Sequence, residues 1–338
     1  MRRREFMASI GAGAGLVLSS FKLGAQAPGR VKRNGRLKQG VTNGVFARAT
    51  SNLTMEDCCR EASRLGVTGF DFADDMAEWP ILKKYGMVVS MYRLDYPRWK
   101  DGAMGRGAMP PPNPNRGGAA GPGADAGRGG RGAGAPNPNP NPPGWGAISH
   151  KEAQGEHLKA MHAAIDIAAA NSIPNIILLA GGRIEGKTEP EGADNAVAFC
   201  NQVKAHAEDK GVTLAMELIS SNRGPTAYIF DHFDWGLGVV KAVNSPRVKI
   251  LYDIYHAQRM DGNIVQTLRD NIQWISHIHT GGVPGRHELD DTQELNWRYI
   301  AQALVDLKFT GFVTHEWSPA PGNDPIASLD KVVGIMDV

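Results

Sequence analysis

Eight short apolar runs, most of them separated by a segment with helical periodicity, constrain this chain more than any other feature. They cover residues 37–46, 68–74, 88–94, 175–181, 213–218, 249–256, 276–281 and 312–317. Strands that alternate with helices lay down a parallel sheet, and eight such repeats close into a (β/α)₈ TIM barrel of the α/β class. The helical segments carry their own punctuation. Thr54 with Asp57 reads as a capping box and Gly66 as the stop. Ser149 with Glu152 reads as a second box, ahead of a face formed by Leu158, Met161, Ile165 and Ala169. Phe199, Cys200, Val203 and Ala207 mark a helix closed by Gly211; Ile264, Leu268 and Ile272 mark another, and Trp297, Ile300, Ala301 and Leu304 the last.

Two segments stand outside this rhythm. Residues 101–146 are almost entirely Gly, Pro, Ala, Asn and Arg, with no apolar period. Such a stretch buries too little surface to offset its ordering entropy, so a disordered insertion after the third strand is expected. It falls on the rim where barrel enzymes keep their chemistry, so a lid or a partner arm is open to it, but a flexible insertion with no chemical role is the expected reading. Residues 1–27 read as an export signal: a basic cluster, a weakly apolar stretch from Phe6 to Leu18, and the small-x-small site Ala25-Gln26-Ala27. Arg3-Arg4-Glu5-Phe6-Met7 resembles the twin-arginine signal. That makes the export machinery a partner and the cell envelope or periplasm the destination, with an uncleaved membrane tether as the alternative. Residues 28–36 form a linker and 37–338 the barrel.

The formal charge is +2, and removal of the basic leader brings it close to neutral, so nothing draws the chain toward nucleic acid. The 42% hydrophobic content suits a large core. The sequence leaves a homo-oligomer open. Three cysteines make no disulfide framework, and Cys58, Cys59 and Cys200 lie on helical stripes as small core residues.

The last four runs each end on an acid or a histidine: Glu217, Asp253, His279 and Glu316. Strand side chains alternate faces, so Ala215 shares a face with Glu217, Leu251 with Asp253, and Phe312 and Thr314 with Glu316. Apolar or small residues thus fill the interior while the final inward position is polar. An isolated acid at a strand end is as readily a solvated group or half of an ion pair, but four in order from strands five to eight converge on one rim. Three carboxylates and an imidazole form a hard donor set. It favours Mn²⁺, with Mg²⁺ and Co²⁺ as alternatives, and argues against a thiolate zinc site. His256, three residues past Asp253, reaches a substrate oxygen if the chain turns there, and otherwise orients a ligand. His277 sits one layer deeper than His279. Arg286, on the Gly-rich loop Pro284-Gly285-Arg286-His287-Glu288, offers a forked donor to a substrate oxygen or carboxylate; its plain alternative is a surface ion pair.

The run Tyr252-Asp253-Ile254-Tyr255-His256-Ala257-Gln258 resembles the sixth-strand motif of the hydroxypyruvate isomerase group within the xylose isomerase-like barrels. His277-Ile278-His279 with the loop 284–288 resembles its seventh-strand motif, and Leu178-Leu179-Ala180-Gly181 its fourth. The resemblance spans roughly 37–338 apart from the insertion. It implies that Glu217, Asp253, His279 and Glu316 bind a divalent metal, with Glu217 and Glu316 also the catalytic acid–base pair. At His279 the likeness departs, since that group usually carries Gln there; histidine is more similar to the ketose 3-epimerases.

Moving a carbonyl along a polyol requires removal of a proton from the neighbouring carbon. A metal that holds both oxygens stabilises the enediolate, while one carboxylate takes the proton and another returns one. The expected function is therefore a divalent-metal-dependent isomerase or epimerase acting on a sugar or hydroxy-keto acid. A metal-dependent lyase or hydratase on 3-keto-sugars or glycosides uses the same groups and is the alternative. A repair endonuclease of related fold would need a basic cleft, and a non-catalytic sugar-binding protein would have lost a ligand or a base.

Overall fold

The computed structural model describes residues 29–94, 148–151, 154–183, 186–221 and 227–338. The leader and the 101–146 insertion lie outside them, as does Glu152. Eight parallel strands run in chain order: β1 Lys38–Val41, β2 Gly69–Asp71, β3 Val88–Met91, β4 Asn175–Leu178, β5 Thr213–Glu217, β6 Val248–Asp253, β7 Ile275–Thr280 and β8 Phe312–His315. Their order in the sheet is β3-β2-β1-β8-β7-β6-β5-β4. A parallel bridge between Tyr92 and Ile176 joins the two ends: the Tyr92 amide donates to Asn175 O at 2.9 Å and the Ile177 amide to Tyr92 O at 3.0 Å. The fold is the expected (β/α)₈ barrel.

Helices α1 Met55–Leu65, α2 Trp79–Lys84, α3 Gln154–Ala170, α4 Glu189–Lys210, α5 Phe233–Val243, α6 Ile254–Met260, α7 Ile264–Asn271, α8 Trp297–Asp306 and α9 Pro325–Met336 surround the sheet. α1 begins at the Thr54–Asp57 capping box and ends at left-handed Gly66, as its sequence predicts. The second expected box pairs Ser149 with Glu152, and its Glu152 half lies outside the described residues. Ser149 donates its hydroxyl to Ala180 O at 2.6 Å, which ties the incoming chain to the segment just past β4, and α3 spans Gln154–Ala170. A further box, not singled out in the sequence, pairs Thr188 with Glu191 at the start of α4. Each cap satisfies amides that the first helical turn leaves unpaired, a contribution of about 1 kcal/mol. Among the described residues no helix is long and apolar enough to cross a membrane.

Strand alternation divides the apolar side chains. Leu214, Met216, Ile250, Tyr252, Ile278 and Val313 point outward into the layer between sheet and helices. Met91, Ile177, Leu179, Ala215, Ile219 and Leu251 form a separate small cluster inside the barrel. Cys58, Cys59 and Cys200 are buried in the outer layer, and burial pushes each thiol up to about 12, which makes them inert packing groups. The interior also has a polar side around Asp71, Ser90, His277 and Thr314. Gly40 and Gly69 make room for it: a Cβ on Gly40 would meet Thr314 Oγ1 at 2.3 Å, and one on Gly69 would meet Ser90 Oγ at 2.5 Å.

Several strands stop short of the expected runs, and two of these ends lead into helical turns. β1 stops at Val41 and Asn43–Phe46 is a 3₁₀ turn. β6 stops at Asp253 and the chain enters α6 at once.

Candidate active site

Glu217, Asp253, His279 and Glu316 meet at the C-terminal rim. One donor atom from each lies within 4.8 Å of all the others. Register explains how four separate strands deliver them. A bulge between Ile250 and Leu251 shifts β6 against β7 so that Asp253 pairs with His279, and His279 in turn pairs with Thr314. Glu316 follows β8 directly, and its amide donates to Thr280 O at 2.9 Å. Glu217 closes β5 over the inner Ala215.

His279 is the centre of the group. Its Nδ1 stands 2.8 Å from Glu316 Oε2, 3.6 Å from Glu217 Oε1 and 4.0 Å from Asp253 Oδ2. Its Nε2 lies 2.9 Å from Asp71 Oδ2. The ring is completely buried, with the edge of Phe72 against it at 5.8 Å between centroids. Phe72 adopts φ 59°, a strained conformation for a bulky side chain.

The substrate-binding candidates take different positions. His256 sits in the first turn of α6 because Asp253 caps that helix, accepting the His256 amide on Oδ1. Its Nδ1 shares a hydrogen bond with Ser220 Oγ at 2.8 Å, and its Nε2 faces Asp253 Oδ2 at 3.6 Å. Arg286 turns inward from a left-handed backbone, φ 55°. Its Nη2 donates to Asp253 Oδ2 at 2.7 Å and to Glu316 Oε2 at 2.6 Å, its Nε donates to Glu316 O at 3.0 Å, and its guanidinium lies over the Tyr255 ring.

The electrostatics follow from three acids buried together. Burial pushes the Asp253 carboxyl up to about 7; Glu316 and Glu217 add to this while Arg286 and His279 oppose it. Burial acts the same way on Glu316, but Arg286 and His279 outweigh it and hold that carboxyl well below its ordinary range. Burial would lower the His279 imidazole, yet the Glu316 charge and the Asp71 and Glu217 carboxylates beside the ring raise it well above its usual value.

These residues fit a divalent cation. The buried Nδ1 of His279 makes no hydrogen bond of acceptable geometry among the described residues, although carboxylate oxygens crowd it. A ring raised this far carries a proton on both nitrogens, and with Nε2 committed to Asp71 it is the Nδ1 proton, facing three acids, that a divalent ion would displace. Ligand atoms around one ion with bonds of ~2.1 Å lie roughly 3–4 Å apart, the separations that surround Nδ1 here.

Sequence reasoning did not single out Asp71. It ends β2 as Glu217 ends β5, so the rule that found the other acids applies to it equally.

The xylose isomerase-like TIM barrel family matches residues 134–331. A 2-oxo-tetronate isomerase of Cupriavidus necator is 34% identical over 116 residues, which is 34% of this chain and 44% of that protein. Its counterpart in Haemophilus influenzae is 28% identical over 187 residues, 55% of this chain and 70% of the relative. The chain thus spans less than half the length of the first and about two thirds of the second. Among solved structures, an AP endonuclease, family 2, from Brucella melitensis superposes with a TM-score of 0.64 at 21% identity, over 87% of this chain and 96% of that one. A 3-keto-D-glucoside 4-epimerase from E. coli gives 0.62 at 14% identity, over 88% and 98%. At these identities the superpositions speak for the fold alone. With more than half of its length matched and the same barrel built from its own strands, the chain belongs to the xylose isomerase-like TIM barrel family.

Proposed function

We propose that this protein is a divalent-metal-dependent isomerase or epimerase of a small hydroxy-keto acid or ketose, with substrates of the hydroxypyruvate and 2-oxo-tetronate kind as first candidates. The observation that carries the reading is the convergence of Glu217, Asp253 and Glu316 on the buried Nδ1 of His279. The 2-oxo-tetronate isomerases among its relatives support the reaction class.

Glu217, Asp253, His279 and Glu316 would hold the ion. Once bound, Mn²⁺, Mg²⁺ or Co²⁺ supplies a Lewis acid that polarises a carbonyl and its neighbouring hydroxyl. The protein's own groups do the rest. Glu217 and Glu316 reach the centre from strands three places apart in the sheet, so one takes a proton from the carbon beside the carbonyl and the other returns one. Glu316 is held ionised, in the form that accepts a proton. Arg286 keeps Asp253 and Glu316 in place and offers its remaining donors to a substrate oxygen. His256, fixed through Nδ1 by Ser220, presents Nε2 at the same rim.

Export by the twin-arginine route belongs to the same proposal and rests on Arg3-Arg4 and the Ala25–Ala27 site. A free rather than phosphorylated substrate follows from an envelope location.

The test is a screen of purified protein, stripped of metal and reloaded with Mn²⁺, against hydroxypyruvate, 2-oxo-tetronates, free ketoses and 3-keto-glycosides, with products identified by NMR. Interconversion without loss of a substituent is expected. Release of a β-substituent would make the protein a lyase and overturn the isomerase reading.

A further inference from the structure

On the far side of His279 from the three acids, a second group of buried side chains forms a closed set of hydrogen bonds. Asp71 Oδ2 lies 2.7 Å from His277 Nε2 and 2.9 Å from His279 Nε2, while Ser90 donates its hydroxyl to Asp71 Oδ1. His277 Nε2 also lies 3.1 Å from Thr314 Oγ1. Asp71, His277 and His279 are fully buried. Asp71 belongs to β2, which is separated from β7 by β1 and β8, so its contact with His279 crosses the barrel interior instead of following a strand pair.

We propose that Asp71 is the positioning residue of the metal site: it holds His279 in the tautomer that carries its proton on Nε2 and leaves Nδ1 free to ligate. A carboxylate only accepts hydrogen bonds, so both imidazole nitrogens that face Asp71 must be donors. The Nε2 proton is thereby held in place, so that an arriving ion displaces the one on Nδ1, and the ring cannot turn without breaking this bond inside a sealed interior. Carboxylate–histidine–metal relays of this kind fix ring orientation and raise ligand basicity. Ser90 and His277 hold Asp71 itself, and Gly40 and Gly69 leave the volume in which they do so. The inference rests on the proposed metal-dependent function but addresses a residue outside the proposed ligand set.

Two measurements test it. Mn²⁺ titration by calorimetry compares chelator-stripped wild type with Asp71→Asn, whose amide nitrogen can donate to Nε2 and so favour the wrong tautomer. A 10–100-fold rise in Kd is expected. An Asp71→Asn protein that melts lower yet binds Mn²⁺ as tightly as wild type would reduce Asp71 to a structural role and overturn the proposal. Should the variant fail to fold, wild type decides alone. In ¹⁵N-histidine protein saturated with diamagnetic Zn²⁺, the His279 signal, identified by its loss in His279→Gln, should show a proton on Nε2. A proton on Nδ1, or none on Nε2, sinks the proposal. Failure of wild type to bind either ion would instead bring down the proposed function on which it rests.

Discussion

Arg286 Nη2 donates to Asp253 Oδ2 at 2.7 Å, and the same nitrogen stands 2.6 Å from Glu316 Oε2. One guanidinium therefore partly neutralises two of the proposed metal ligands. Removing it leaves the buried acids facing one another, and loss of one partner from a buried ion pair costs about 3–5 kcal/mol. Arg286→Ala should lower the Tm of metal-free protein strongly and recover more on adding Mn²⁺ than wild type does. Equal losses with and without Mn²⁺ would show that Arg286 and the ion do not share the same charges.

Metal should stabilise the fold in a way that can be switched off. A ligand held only by the native state contributes ~2.7 kcal/mol at a hundredfold excess over Kd. Chelation should lower Tm and Mn²⁺ restore it, while the double variant Asp253→Ala, His279→Ala should melt at one temperature regardless of metal. A full Mn²⁺ response in that variant would refute the ligand set.

Proton traffic separates mechanisms. In D₂O the product should carry solvent deuterium at the carbon next to the substrate carbonyl. Glu217→Gln and Glu316→Gln should each reduce kcat by roughly 10²–10⁴-fold, the usual worth of a positioned acid or base. Transfer of the substrate's own deuterium between carbons, with none from solvent, would point to a hydride shift instead.

Acid sensitivity should trace partly to His157. It is buried on α3 with its ring 4.5 Å from that of Phe199, and burial pushes its imidazole down to about 4. Between pH 6.5 and 4 the unfolded chain takes up a proton that the folded one refuses. Stability from this group is therefore full above pH 6.5 and declines as pH falls toward 4, by an amount of roughly 3 kcal/mol. His157→Phe should flatten the fall of Tm over that range. It should not abolish the fall, because His315, pushed by burial down to about 3, adds its own share. An unchanged slope in His157→Phe would mean that other groups set it.

The barrel was legible because parallel strands buried on both faces leave apolar runs and their helices leave caps and stripes. The rim acids were legible because strand parity is local: Glu217 and Asp253 can be placed over Ala215 and Leu251 by counting residues. What crosses the barrel was not legible. Nothing in the linear order brings Asp71 to His279, because that contact depends on closure and on the missing side chains of Gly40 and Gly69.

Asp253 divides its two oxygens, one capping α6 through the His256 amide and the other turned into the site. The carboxylate is therefore aimed by the act of starting a helix, and its rotamer is settled when the chain folds. An ion arriving there meets a ligand already aimed, so the rate of its capture should be set by release of the Arg286 bond to the same oxygen and not by a search of Asp253 rotamers. The same division makes the His256 amide a built-in reporter, since whatever pulls Asp253 out of line must also loosen the first turn of α6 and quicken hydrogen exchange at that position.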